Sequence, residues 1–173
     1  MKSPEKYADA KFAKVAKPVR DAANRMLKSR EKGIYLFGEV GCGKTYAVWA
    51  MVNSANEKMG HSDHLLRVWN AVELIDRLRD TIDRPFDEFL AELMAYEGIL
   101  VIDDIGAGKS TEWVNEQFYR IINTRYERKL ATVYTSNLPP QELEDALGAR
   151  AVSRIVESCE VIEMAGGDRR IQG

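Results

Sequence analysis

Cysteine is scarce: Cys42 and Cys159 are the only two in 173 residues, and neither has a second cysteine at CxxC spacing. That excludes a disulfide framework or a zinc knuckle as the organising principle, and a reducing, cytoplasmic setting is the expectation. Histidine is equally rare, and the two present, His61 and His64, have no further ligand at site spacing, so they read as loop residues. No run of about 18 apolar residues occurs, which excludes a membrane-spanning helix from the reading. The opening MKSPEKYADAKFAKVAK is charged throughout and lacks the apolar stretch of a signal peptide. Internal repeats and low-complexity tracts are also missing, which excludes a solenoid and a disordered linker.

What is present is ordinary globular composition, 30% charged and 45% hydrophobic, with length enough for one domain and one sizeable core. The net charge of −2 conceals an asymmetry. Residues 1–32 carry ten Lys/Arg against four Asp/Glu, a net of +6, and the remaining 141 carry 15 against 23, a net of −8. The chain therefore divides into a basic arm with its helix, 1–32, and an acidic core, 33–173. A basic arm on an acidic body is either a nucleic-acid contact or a solvated helix face. Lys11, Lys14, Lys17 and Arg20 are the candidates for single-stranded DNA.

Periodicity supplies the elements. Pro18 suits the first turn of a helix with Val19, Ala22, Ala23, Met26 and Leu27 on one face. Short apolar runs at 33–37, 65–69, 99–102, 131–135 and 161–164 read as strands. Helices are expected at 44–59, 71–82, 86–96 and 112–128, the last with Trp113, Phe118, Ile121 and Ile122 inward, and two short ones after Pro139-Pro140. Strands alternating with helices predict an α/β domain with a mainly parallel sheet, whose ligands belong at the carboxyl ends of the strands. Trp69 and Tyr96 could stack on bases, but packing is the plainer reading of both.

The chemistry concentrates in Gly38-Glu39-Val40-Gly41-Cys42-Gly43-Lys44-Thr45, followed by Tyr46. Glycines at this spacing let the backbone turn tightly and aim N–H groups at phosphate oxygens. A helix opening at Lys44 adds its positive dipole end. Lys44 is expected on the β- and γ-phosphates of ATP and the Thr45 hydroxyl on Mg²⁺. Asp103 and Asp104 end the most apolar strand, where a metal-organising carboxylate belongs. Asp103 is expected to hold the metal through water and Asp104 to orient or deprotonate the attacking water. Arg150 and Arg154 lie four apart on one helix face, a spacing that fits a surface pair as well as a functional one.

From these residues outward the chain resembles the AAA+ helicase loaders of the DnaC/DnaI type and the related IstB transposition helpers. The resemblance runs through PEKYADA, GEVGCGKT, WNAVELIDRLRD, LVIDDIG, STEWVNEQFYRIINTRYERK, TSNLPPQELEDALGARAVSRIVESCEVIEM and GGDRR. It implies a AAA+ core with five mainly parallel strands and a reduced or absent lid. It also implies roles: Asn137 as sensor 1, Arg154 as an arginine finger reaching a neighbouring subunit, Arg150 as its helper, and Arg170 (or the adjacent Arg169) as sensor 2. Two departures stand out. Asp104 replaces the glutamate of many AAA+ proteins, which implies slow hydrolysis. PEKYADA begins at Pro4, so the amino-terminal domain with which such loaders grip the helicase is expected to be missing. The implied function is an ATPase that self-associates with ATP and helps load a replicative DNA helicase onto single-stranded DNA. The alternatives are an IstB-like transposition helper and a nucleotide-switched adaptor with little hydrolysis.

Overall fold

The structure, a computed structural model, describes residues 3–59, 65–80, 88–108 and 111–166. His61, His64, Arg169 and Arg170 lie outside the described residues. Five strands form one sheet in the order β2-β3-β4-β1-β5: β1 (Gly33–Phe37), β2 (Leu66–Asn70), β3 (Ile99–Asp103), β4 (Thr132–Ser136) and β5 (Cys159–Glu163). Every neighbouring pair is parallel, as the alternation of strands and helices predicts.

The sheet is covered on both faces, which is why its inner strands read as unbroken apolar runs. Successive side chains point to opposite faces. Ile34, Leu36, Ile99, Val101 and Val133 therefore join one core with α1 (Lys17–Ser29) and α2 (Lys44–Met59). Tyr35, Leu100, Ile102 and Tyr134 join the other core. It is completed by α3 (Ala71–Arg79), α4 (Glu88–Ala95), α5 (Glu112–Glu127), α6 (Pro140–Leu147) and α7 (Ala149–Ser158).

Helix α1 opens with Pro18 in its first turn and buries Val19, Ala22, Ala23 and Met26, and it stops where Arg30 turns left-handed at φ 57°. Ahead of it, the chain carries two short 3₁₀ turns, Glu5–Tyr7 and Phe12–Lys14. Ala10 and Val15 from this segment are buried against α2.

Apolarity misplaces several strand ends by a residue or two. β2, β3 and β4 run on through Asn70, Asp103 and Ser136, because ladder pairing carries the polar residues along: Asn70 lies opposite Asp103 and Ser136 opposite Phe37. β5 starts two residues early, at Cys159, where it pairs with Gly33. Helix α3 ends at Arg79, short of the expected Ile82. On α5 the buried face includes Gln117 and Arg125, and Trp113 is half-buried at its margin.

Candidate nucleotide site

Between β1 and α2 the chain makes its phosphate loop. Gly38 (φ 149°), Gly41 (φ 84°) and Gly43 (φ 102°) hold backbone conformations that side chains disfavour. At Gly38 a Cβ would also lie 2.5 Å from the Met164 carbonyl, which follows the last strand and whose own amide donates to Phe37 O at 2.7 Å. The loop therefore nests against the end of β5. Helix α2 begins with the Ala47 N–H donating to Gly43 O at 2.9 Å, so its unpaired N–H groups and dipole end face the loop. Lys44 is 7% exposed, and its Nζ donates to the carbonyls of Gly38 (2.7 Å) and Glu39 (2.9 Å). Cys42 is buried behind the loop, 3.7 Å from that ammonium.

The carboxyl end of β3 supplies the acids. Asp103 is nearly buried: its Oδ2 accepts from the Thr45 hydroxyl at 3.0 Å and its Oδ1 from the Thr135 hydroxyl at 2.6 Å. Burial pushes its carboxyl above the usual range, and the two hydroxyl bonds and the Lys44 charge act against that shift. Asp104 takes a left-handed backbone conformation (φ 62°), uncommon outside glycine. Its amide donates to Thr135 Oγ1 at 2.8 Å, and its Oδ1 accepts from Asn137 Nδ2 at 3.2 Å. Thr135 thus ties both acids, donating to one and accepting from the backbone of the other. It belongs to the same TSN run as Asn137, on the strand beside β3, but only the strand order reveals its position.

These groups converge on one cavity of about 560 Å³. Its walls include Val40, Gly41, Gly43, Lys44, Thr45 and Tyr46 from the loop and α2, with Asp104, Thr135 and Asn137 from β3 and β4. Gly38, Glu39, Cys42 and Asp103 are not among its lining residues, and of these Cys42 and Asp103 are buried. The remaining side is formed by Lys6, Tyr7 and Lys14, from the segment ahead of α1. Nothing in the motif spacing points to these three. The basic character of the arm marks Lys14, but as a DNA candidate. Of the other basic candidates, Lys17 pairs with Asp21 at 2.7 Å, Arg20 donates to Ala13 O, and the Lys11 amide donates to the Tyr46 hydroxyl at 2.9 Å.

Arg150 and Arg154 lie away from this cavity, on α7. Arg154 is half-buried, with Nε donating to Asn123 Oδ1 and the guanidinium over the rings of Tyr126 (5.1 Å) and Tyr119 (5.7 Å). Arg150 is exposed one turn earlier. Trp69 and Tyr96 are packing residues: Trp69 meets Phe89 edge-on at 5.1 Å, and Arg67 lies over the Tyr96 ring at 4.4 Å.

Three comparisons agree with this architecture. The chain is 29% identical to the replicative helicase loader DnaI of Bacillus subtilis (strain 168), over 80% of its own length and 48% of that protein's, so it spans about half of that relative. It superposes on a crystal structure of the DnaC helicase loader with a TM-score of 0.80 at 24% identity, covering 94% of this chain and all of that one. It superposes on a crystal structure of DnaI with a TM-score of 0.79 at 25% identity, covering 97% and 94%. With the profile of the IstB-like ATP binding proteins matching residues 6–173, the chain belongs to that family and carries its AAA+ fold.

Proposed function

We propose that this chain binds ATP with Mg²⁺, hydrolyses it slowly, and helps place a replicative DNA helicase on single-stranded DNA. One observation carries the catalytic half: the Thr45–Asp103–Thr135 bridge and the Asp104–Asn137 pair stand together beneath the phosphate loop. The Thr45 hydroxyl and Asp103 carboxylate, 3.0 Å apart, are the hard oxygen donors that suit Mg²⁺. The ion's chemistry there would be charge neutralisation on the β- and γ-phosphate oxygens. Lys44 exchanges its carbonyl partners for those same oxygens. Asp104 takes the proton of the attacking water, and Asn137 holds the Asp104 carboxylate and the water in line. Tyr7 and its lysine neighbours receive the nucleotide's base end. The helicase and DNA half rests on the likeness to DnaI, whose name gives helicase loading as its role.

Arg154 is proposed to act on nucleotide held by a neighbouring copy, a role its distance from its own chain's cavity supports. The test is complementation. Arg154→Ala and Lys44→Ala should each lack ATPase activity alone, and mixing them should restore part of it, because one interface then joins an intact finger to an intact loop. Absence of rescue where the two co-assemble would refute a finger acting in trans. In the same assay, Asp104→Asn should keep ATP binding and lose at least about a hundredfold in turnover. The resemblance to the IstB helpers supports a second reading, a transposition helper. A pull-down with ATP and with ADP separates the two by whether helicase or transposase is retained.

A further inference from the structure

The base end of the cavity is built from a segment with almost no regular secondary structure of its own. Residues 4–16 form no helix longer than a single 3₁₀ turn and join no strand. Ala10 and Val15 are buried, and Tyr7, Phe12 and Ala16 pack partly buried against the same core, yet Lys6, Tyr7 and Lys14 must face the cavity from this stretch. Arg20 of α1 donates to its Ala13 carbonyl, and the polar ties nearest the cavity come from α2. Tyr46 and Asn53 are seven residues apart, two helical turns, and so share one face of α2. The Tyr46 hydroxyl accepts the Lys11 N–H at 2.9 Å. The two N–H donors of the Asn53 amide are shared among three neighbouring carbonyls, those of Tyr7 (3.0 Å), Ala8 (3.2 Å) and Ala10 (3.2 Å). Three acceptors around one nitrogen admit only the NH₂ end of the side chain.

We propose that Asn53 is a positioning residue for nucleotide recognition: it clamps residues 7–10 onto the same helix whose first turn holds the phosphates, and so sets the base-side wall of the cavity. The inference rests on the nucleotide reading above. Asn53 lies two turns beyond the phosphate-facing end of α2, so it has no part in the phosphate contacts themselves. Its removal should therefore divide the ligand's two ends energetically. The phosphate end, built from Gly38 to Thr45, stays formed. The base end loses its clamp.

The measurement is calorimetric titration of the whole protein with Mg-ATP and with inorganic tripolyphosphate, which carries the phosphates and no base. Asn53→Ala should weaken ATP by about tenfold, the scale of one or two lost hydrogen bonds, and leave tripolyphosphate unchanged. In steady-state assays the KM for ATP should rise in step with that change while kcat holds. Asn53→Ser, which keeps one hydroxyl donor in place of the amide, should shift ATP in the same direction by less, and it serves if Asn53→Ala fails to fold. Equal weakening of both ligands would overturn the proposal, because a general loosening of α2 does that. Unchanged ATP affinity in both variants would overturn it too. A wild-type protein that binds tripolyphosphate but prefers no nucleotide over it refutes the base-side wall alone. One that binds neither ligand refutes the nucleotide reading itself, and the clamp falls with it.

Discussion

The two ends of the sheet both bury charge, and they do so in opposite ways. At the carboxyl end, Asp103 and Lys44 are almost enclosed, but each is held by contacts that a ligand can trade: hydroxyls for the acid, carbonyls of a glycine loop for the ammonium. At the amino end, Arg125 is 1% exposed, and its five donors are filled by the Thr132 hydroxyl and the carbonyls of Leu93, Tyr96, Gly98 and Ala131. That one side chain ties the end of α4 to the starts of β3 and β4. Burial pushes its pKa down to about 10, which still leaves it charged near neutrality. The packing there is close: a Cβ on Gly33 would lie 2.0 Å from the Thr132 carbonyl. Exchangeable partners make a site, and saturated ones make a staple.

If that contrast holds, the largest loss of stability comes from the amino end. Arg125→Ala should cost about 3–5 kcal/mol, because four carbonyls and a hydroxyl lose their donors inside the protein. Denaturant titration should place its midpoint far below wild type, and a loss under about 1 kcal/mol would break the comparison. Lys44→Ala tests the other end. ATP affinity should fall by at least about a hundredfold with the removal of a charge-assisted contact. Its unfolding midpoint without ligand should stay near that of the wild type, since the loop carbonyls it leaves are only partly buried. A Lys44→Ala protein as unstable as Arg125→Ala would show that the loop is a staple as well.

The same contrast explains what could be read from the chain alone. The phosphate loop, the acids and all five strands were readable because each depends on a local pattern: glycine spacing, a carboxylate after an apolar run, alternation of strand and helix. Arg125 was not, although it lies within the conspicuous helix after Thr111. A charged residue on a helix reads as solvated until the carbonyls of three other segments are known to surround it. Thr135 was hidden for a related reason. Its hydroxyl matters only because β4 lies beside β3, and strand order is not written in any one strand. The wall made by Lys6, Tyr7 and Lys14 depends on how the first residues return to α2, which the charge count of the arm does not encode. Arg154 was singled out by resemblance, and the structure adds its cradle of Asn123, Tyr119 and Tyr126.

The smallest effect expected separates the two thiols, one at each end. Cys42 lies behind the phosphate loop beside Lys44, whereas Cys159 opens β5 against Gly33, with its Sγ donating weakly to the Thr132 carbonyl at 3.7 Å. Burial pushes the Cys159 thiol up to about 12, with Ser158 and Lys32 opposing the shift. The sign follows from proton counting. An unfolded thiol ionises near its ordinary value of about 8.5, while the folded one keeps its proton. Between those values the unfolded chain binds fewer protons, so stability is intact below about pH 8.5 and declines as pH rises toward 12. The slope from this one group reaches at most about 1.4 kcal/mol per pH unit. Tyr35, pushed up to about 12 by its own burial, acts in the same direction but begins later, because a free phenol ionises near 10. Cys159→Ala should therefore lose modest stability at pH 7, where a buried side chain has been trimmed, and decline less steeply than wild type between about pH 8.5 and 10. Denaturant midpoints measured across that range give the answer. Parallel curves for the two proteins would mean that Cys159 ionises as freely in the fold as outside it, and that the amino end of the sheet is more open than its packing implies.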